Sequence, residues 1–149
     1  FMSYHLACNL SSKIAAVASV TGSMSKETYE DCNPAHPTSI LQVHGTIDAT
    51  VPFDGNSALG MRSINDVMDY WKLYNACDVD PTSIITDYFD IEIAVQHDTY
   101  SNCLNDVHVE LYKIEGMGHT WPYKGRYGIS ATEIIWEFIN THDINGRMD

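Results

Sequence analysis

The chain has 149 residues, 44% of them apolar, and its 8 basic against 20 acidic side chains give a formal net charge of −12. That length and composition suit one globular domain and exclude disordered and collagen-like chains. The acids are spread along the chain, so its surface repels phosphate backbones and nucleic acid is not an expected partner. No run of about 18 apolar residues is present to span a bilayer, and no membrane partner is expected.

Phe1 opens the chain inside an apolar helical pattern, without an initiator methionine or a signal peptide. A truncated N-terminal side is therefore expected, and targeting is not legible from this end. Residues 1–10 read as the remainder of a helix with Met2, His5 and Leu6 on one face and Ser3 and Asn9 on the other. Residues 14–20 are apolar, small and β-branched, as in a strand buried on both faces. A loop with Asn33-Pro34 and His36-Pro37 follows over 24–38. Residues 39–44 form the next buried strand, closed by Gly45. After a loop over 48–60, residues 63–76 carry Ile64, Val67, Met68, Trp71 and Leu73/Tyr74 at helical spacing behind an N-cap Ser63. Residues 82–100 alternate irregularly, as exposed antiparallel strands or a loop excursion would. Residues 107–114 alternate as a strand and stop at Gly116. Ser130-Ala131-Thr132-Glu133 is a capping box opening a helix over 131–141, with Ile134, Ile135, Phe138 and Ile139 on one face. Trp71 and Trp136 both fall on apolar helical faces and are expected in the core. Strands alternating with helices predict an α/β fold, a parallel sheet flanked by helices.

Cys8, Cys32, Cys77 and Cys103 show no Cys-x-x-Cys spacing, which argues against structural zinc. Their even number suits two disulfides in an oxidising compartment, against four buried free thiols in a cytosolic one. Of the three possible pairings, Cys8 with Cys32 and Cys77 with Cys103 is preferred, because each closes a local excursion between recognisable elements.

Chemistry concentrates in two segments, His44-Gly45-Thr46-Ile47-Asp48-Ala49-Thr50-Val51-Pro52 and Gly116-Met117-Gly118-His119-Thr120-Trp121-Pro122. Each starts where a strand stops, and the ligand site of an open parallel sheet lies beyond its carboxyl strand ends. Asp48 would accept a hydrogen bond from one ring nitrogen of His119, leaving the other to take a proton from a serine hydroxyl. Gly116 and Gly118 would let the backbone turn so that His119 projects over the rim. No Gly-x-Ser-x-Gly occurs in the chain, and Ser3, Ser19 and Ser23 lack the glycine spacing of a strained elbow. A zinc site built from His44, Asp48 and His119, with His97 or His108, is the rival reading; His44 is better accounted for by a hydrogen bond beneath the acid loop. No metal or cofactor is expected.

These two segments, with Ser3-Tyr4-His5-Leu6-Ala7-Cys8 and Ile14-Ala15-Ala16-Val17-Ala18-Ser19-Val20-Thr21-Gly22, resemble the polyhydroxybutyrate depolymerase and feruloyl esterase group of α/β-hydrolases. The resemblance covers essentially the whole chain. It implies that residues 1–149 are one partial α/β-hydrolase domain, truncated after the nucleophile elbow, whose serine would sit about four residues before Phe1. It implies Asp48 as triad acid and His119 as base, and Cys77 with Cys103 as a recurrent pair. The expected substrate is a carboxylic ester, a polyester oligomer or a feruloyl or acetyl group on polysaccharide, and the expected setting is secreted or periplasmic. Trp121, Phe53 and Tyr123 are the candidate substrate-binding residues, Trp121 equally suited to packing Pro122. The strand over 14–20 should show an unpaired apolar edge, open to the missing segment or to self-association. The reading from another class is a non-catalytic carbohydrate- or polymer-binding module derived from such a hydrolase.

Overall fold

A computed structural model describes residues 1–148. Its centre is a five-stranded sheet built from β1 (Ala16–Val20), β2 (Ser39–Gly45), β3 (Thr82–Tyr88), β4 (Ile93–Tyr100) and β5 (Val109–Ile114), in the order β1-β2-β5-β4-β3. The helices are α1 (Met2–Asn9), α2 (Lys26–Asp31), α3 (Ile64–Tyr74), α4 (Lys124–Tyr127) and α5 (Ala131–Asn140). A short hairpin, β6 (His142–Asp143) with β7 (Gly146–Arg147), follows.

The sheet is mixed rather than wholly parallel. β1, β2 and β5 run parallel, whereas β4 and β3 add an antiparallel hairpin beyond β5. The irregular alternation over 82–100 is the trace of that hairpin, since β3 is an edge strand exposed along nearly all of its length. β1 forms the opposite edge, and among the described residues it pairs only with β2. It is shorter than expected and alternates, with Val17 and Ser19 buried and Ala16, Ala18 and Val20 partly covered.

Each face of the sheet carries its own core. On one side α1 and α3 pack Tyr4, Ala7, Cys8, Ile64, Val67, Met68 and Trp71 against Val17, Ile40, Val109 and Leu111. On the other, Tyr127 and Phe138 cover Leu41, Val43, Val95 and Ile114. β2, with helices over both faces, is buried at every residue. This explains why Ile40, Leu41 and Val43 do not alternate with exposed residues, the polar Gln42 and His44 between and beside them being buried too.

Helix rotation corrects several expectations. In α1 the inward residues are Tyr4, Ala7 and Cys8, an i, i+3, i+4 set, so Met2 and His5 point to solvent. In α3 the buried set is Ile64, Val67, Met68 and Trp71; Leu73 lies about half a turn from Ile64 and is exposed. In α5 Ala131 and Phe138 are buried and Ile134 and Ile135 partly so, which turns Trp136 outward at 68% exposure. The loop expected over 24–38 contains α2, capped by Ser25 accepting from the Thr28 amide at 3.1 Å. The expected caps Ser63 and Ser130 also form, accepting from the Asp66 amide at 3.0 Å and the Glu133 amide at 3.4 Å.

Cys8 is bonded to Cys32 and Cys77 to Cys103, with sequence separations of 24 and 26. The first ties α1 to the end of α2, and the second ties the end of α3 to the segment between β4 and β5. Two disulfides fit an oxidising compartment. Among the described residues no helix is long and apolar enough to cross a membrane. Loop-closure entropy assigns each bridge about 3 kcal/mol. Replacing either pair by serine should therefore lower the free energy of unfolding by about that amount in urea titrations, and no thiol should react with iodoacetamide before reduction.

On the α5 face of β4 and β5 lies a second charged cluster. His97 Nε2 meets Glu110 Oε2 at 2.8 Å, and His108 Nδ1 lies 3.8 Å from Glu110 Oε1. Burial pushes the Glu110 carboxyl up, but the hydrogen bonds and charges of His108 and His97 outweigh it and bring it to about 2. A depressed carboxyl contributes stability that is complete above its unfolded value of 4.5 and disappears as pH falls toward about 2. Acid titration of the wild type should lose on the order of 3 kcal/mol across that window beyond what Glu110→Gln loses.

Candidate functional site

β2 and β5 are neighbours in parallel register, with Gly45 opposite Ile114, so both chains leave the sheet on the same rim. Their exit loops are laced together. Thr46 N donates to Ile114 O at 3.0 Å and Ile47 N to Met117 O at 3.2 Å. The Thr46 hydroxyl donates to Glu115 Oε1 at 3.1 Å and accepts from Gly116 N at 3.0 Å. Glycine at 45 is what allows this approach, since a Cβ there would lie 2.0 Å from the Met117 carbonyl oxygen. Gly116 has a left-handed φ of +68°, the conformation glycine adopts at least cost. Gly118 does neither: its φ is not positive, and the nearest atom to a Cβ would be Ile47 O at 4.0 Å. The turn therefore depends on Gly116, contrary to the expectation for the pair.

This lacing brings together Asp48 and His119, 71 residues apart. Asp48 is 4% exposed. Its Oδ1 accepts from the amides of Thr50 and Val51, both at 2.9 Å, and its Oδ2 accepts from His119 Nδ1 at 2.9 Å. Burial pushes the carboxyl upward, but the Val51 amide, the His119 ring and the Thr50 amide together hold it below the ordinary aspartate value. Asp48 is thus anionic throughout the neutral range. The His119 side chain is 42% exposed, and among the described residues its Nε2 makes no hydrogen bond. A buried anion that fixes Nδ1–H leaves Nε2 as a base directed outward.

His44 is fully buried below the loop, donating from Nε2 to Val51 O at 2.9 Å. It lies beneath the acid loop and bonds it as expected; among the described residues no group of three or more His, Cys, Asp or Glu is arranged to hold a metal ion. Phe53 is also buried, edge-on to the His44 ring, with the Lys113 ammonium over its face. Trp121 and Tyr123 are more than half exposed. Trp121 Nε1 donates to Thr132 Oγ1 at 3.1 Å, and with Ile135, Trp136 and Ile139 it lines a shallow apolar groove. A cavity bordered by Lys26, Asp54, Asn56, Arg62, Ser63 and Asp66 includes neither Asp48 nor His119.

Three contributors leave little or no mark in the sequence: Thr46, which laces the loops, Gln42, which bonds His44 Nδ1 at 2.8 Å, and Tyr4, whose hydroxyl donates to Gln42 Oε1. Gln42 left one signal, a second polar residue two positions from His44 in an apolar strand.

Fold and site together define an α/β protein with an acid–histidine pair on the carboxyl rim of its sheet. The chain is 29% identical over 147 residues to feruloyl esterase B of Piromyces equi, a distant relation to an esterase that covers 93% of this chain and 25% of that protein. The chain thus spans about a quarter of the length of the curated relative it matches. No family model matches it.

The two loop glycines make opposite predictions. Gly45→Ala must displace backbone, so it should cost about 3 kcal/mol in denaturant unfolding, at the upper end of overpacking effects. Gly118→Ala should stay within about 0.5 kcal/mol of the wild type.

Proposed function

We propose that the chain is the C-terminal part of a serine-dependent carboxylic ester hydrolase of α/β-hydrolase architecture. In this reading residues 1–149 are one partial domain, Asp48 is the triad acid and His119 the base. The nucleophilic serine belongs to a Gly-x-Ser-x-Gly turn upstream of Phe1. One observation carries the reading: Asp48 holds His119 by Nδ1 while Nε2 remains free on the strand-end rim. The distant similarity to a feruloyl esterase supports the same direction.

His119 Nε2 removes the serine proton as the serine oxygen attacks the ester carbonyl carbon. The alcohol leaves with that proton, and water then releases the acid from the acyl-enzyme by the same exchange. Asp48 stays anionic and stabilises the imidazolium at each step. Among esters of polyester oligomers and of polysaccharide-bound acetyl or feruloyl groups, the relative's name favours the last. Trp121 and Tyr123 are suited to flank an aromatic acyl group; Phe53, being buried, supports the acid loop instead. The setting consistent with two disulfides is secreted or periplasmic. The free edge of β1 is the natural seat for a strand of the upstream segment, with self-association its substitute when that segment is absent.

The 149-residue polypeptide alone should not turn over nitrophenyl acetate. Turnover by it that Asp48→Ala or His119→Ala abolished would overturn the upstream nucleophile. In the longer protein the upstream serine should react with a fluorophosphonate. There, His119→Ala should lower kcat by about 10⁶ and Asp48→Ala by about 10⁴. A gene with no serine elbow before Phe1 would instead support the binding module.

A further inference from the structure

β2 is buried throughout, yet Gln42 and His44, two residues apart on the face toward α1, are polar and have no exposure. Every polar atom of the pair is used. Gln42 Oε1 accepts from the Tyr4 hydroxyl, and its Nε2 donates to Gly22 O at 2.9 Å and to His44 Nδ1 at 2.8 Å. The Gly22 carbonyl can only accept, so the carboxamide orientation is fixed, and with it the acceptor role of His44 Nδ1. The one proton of the neutral His44 ring therefore sits on Nε2, where it donates to Val51 O. Val51 is the residue whose amide donates to Asp48 Oδ1. One residue is thus gripped on both sides, by the buried histidine and by the acid.

We propose that His44, its tautomer fixed by Gln42, is a positioning residue for Asp48: a neutral strut that holds the 48–51 loop where Asp48 Oδ2 meets His119 Nδ1. Charge would defeat this role. Nε2 lies 3.6 Å from Asp48 Oδ2, so an imidazolium here would compete with His119 for the same oxygen. The titratable groups around it are Asp48 and His119 on the two loops and Lys113 across the Phe53 ring. Burial lowers the His44 pKa below the ordinary histidine value, against the raising effects of the Val51 carbonyl and Asp48. Only the catalytic consequence of the strut rests on the esterase reading; its geometry is tested without it.

Ring-¹⁵N NMR of the wild-type 149-residue protein at pH 7 should show His44 as the neutral Nε2–H tautomer and neutral His119 as Nδ1–H. An imidazolium or an Nδ1–H tautomer at His44 would overturn the proposal with no variant needed. His44→Ala should speed amide exchange at Thr50 and Val51 about ten-fold, the equivalent of one lost hydrogen bond, and shift the His119 tautomer toward that of Asp48→Ala. His44→Gln keeps a donor for Val51 O and should restore both signals. A folded His44→Ala with unchanged exchange and an unchanged His119 tautomer would overturn the strut. In the longer protein, kcat lost in Asp48→Ala but kept in His44→Ala would also overturn it and leave the triad standing. Expected NMR signals with turnover indifferent to Asp48→Ala would support the strut and fail the esterase reading.

Discussion

The rim of this sheet depends on the approach of the Gly45 backbone to the Met117 carbonyl. Parallel neighbours normally diverge once their strands end, because each chain enters its own loop. Here Thr46 and Ile47 continue to donate to Ile114 and Met117 for two residues past the end of β2. The pairing is possible only because no side chain occupies position 45. Since Asp48 follows within three residues and His119 lies two beyond Met117, little backbone freedom remains between the lacing and the pair it brings together.

The same constraint settles the electrostatics of the site. A carboxylate buried like that of Asp48 is costly unless its lone pairs are occupied. The loop meets this cost locally, with two of its own amides on Oδ1 and the His119 ring on Oδ2. An anion held by preset amides needs no help from the net charge of a chain at −12. The acidic surface and the buried acid are thus separate matters, one governing partners and the other governing a single imidazole.

Much of this was legible in the sequence because period and punctuation act locally. Ser63 and Ser130 cap helices where their spacing predicts, and the apolar run from Ser39 is a strand buried on both faces. Asp48 and His119 followed from the chain order of strand ends. What failed was rotation and partnership. Leu73 and Trp136 are apolar residues on the sides of α3 and α5 turned away from the core, and apolar character alone does not say which side of a helix is buried. The antiparallel hairpin beyond β5 stayed half-visible, because an exposed edge strand carries no apolar face to give it a period. Gln42 was overlooked because its partners lie 38 and 20 residues away on other elements, a relation that no local pattern records.

His44 and His119 show how one residue type acquires opposite duties. His119 projects from a loop, is held at Nδ1 by an anion and keeps Nε2 free; His44 is enclosed, accepts at Nδ1 from an amide and spends its proton on a backbone carbonyl. Burial disfavours charge on His44, and the Asp48 carboxylate touches His119 directly at 2.9 Å while staying 3.6 Å from His44. The spacing of the first segment serves both arrangements at once. Its histidine supports Val51 from below, the glycine after it admits Met117, and the aspartate three residues further closes a turn onto the amides of Thr50 and Val51. A residue inserted between Gly45 and Asp48 would leave all three residues in the chain and break the register that makes them one device.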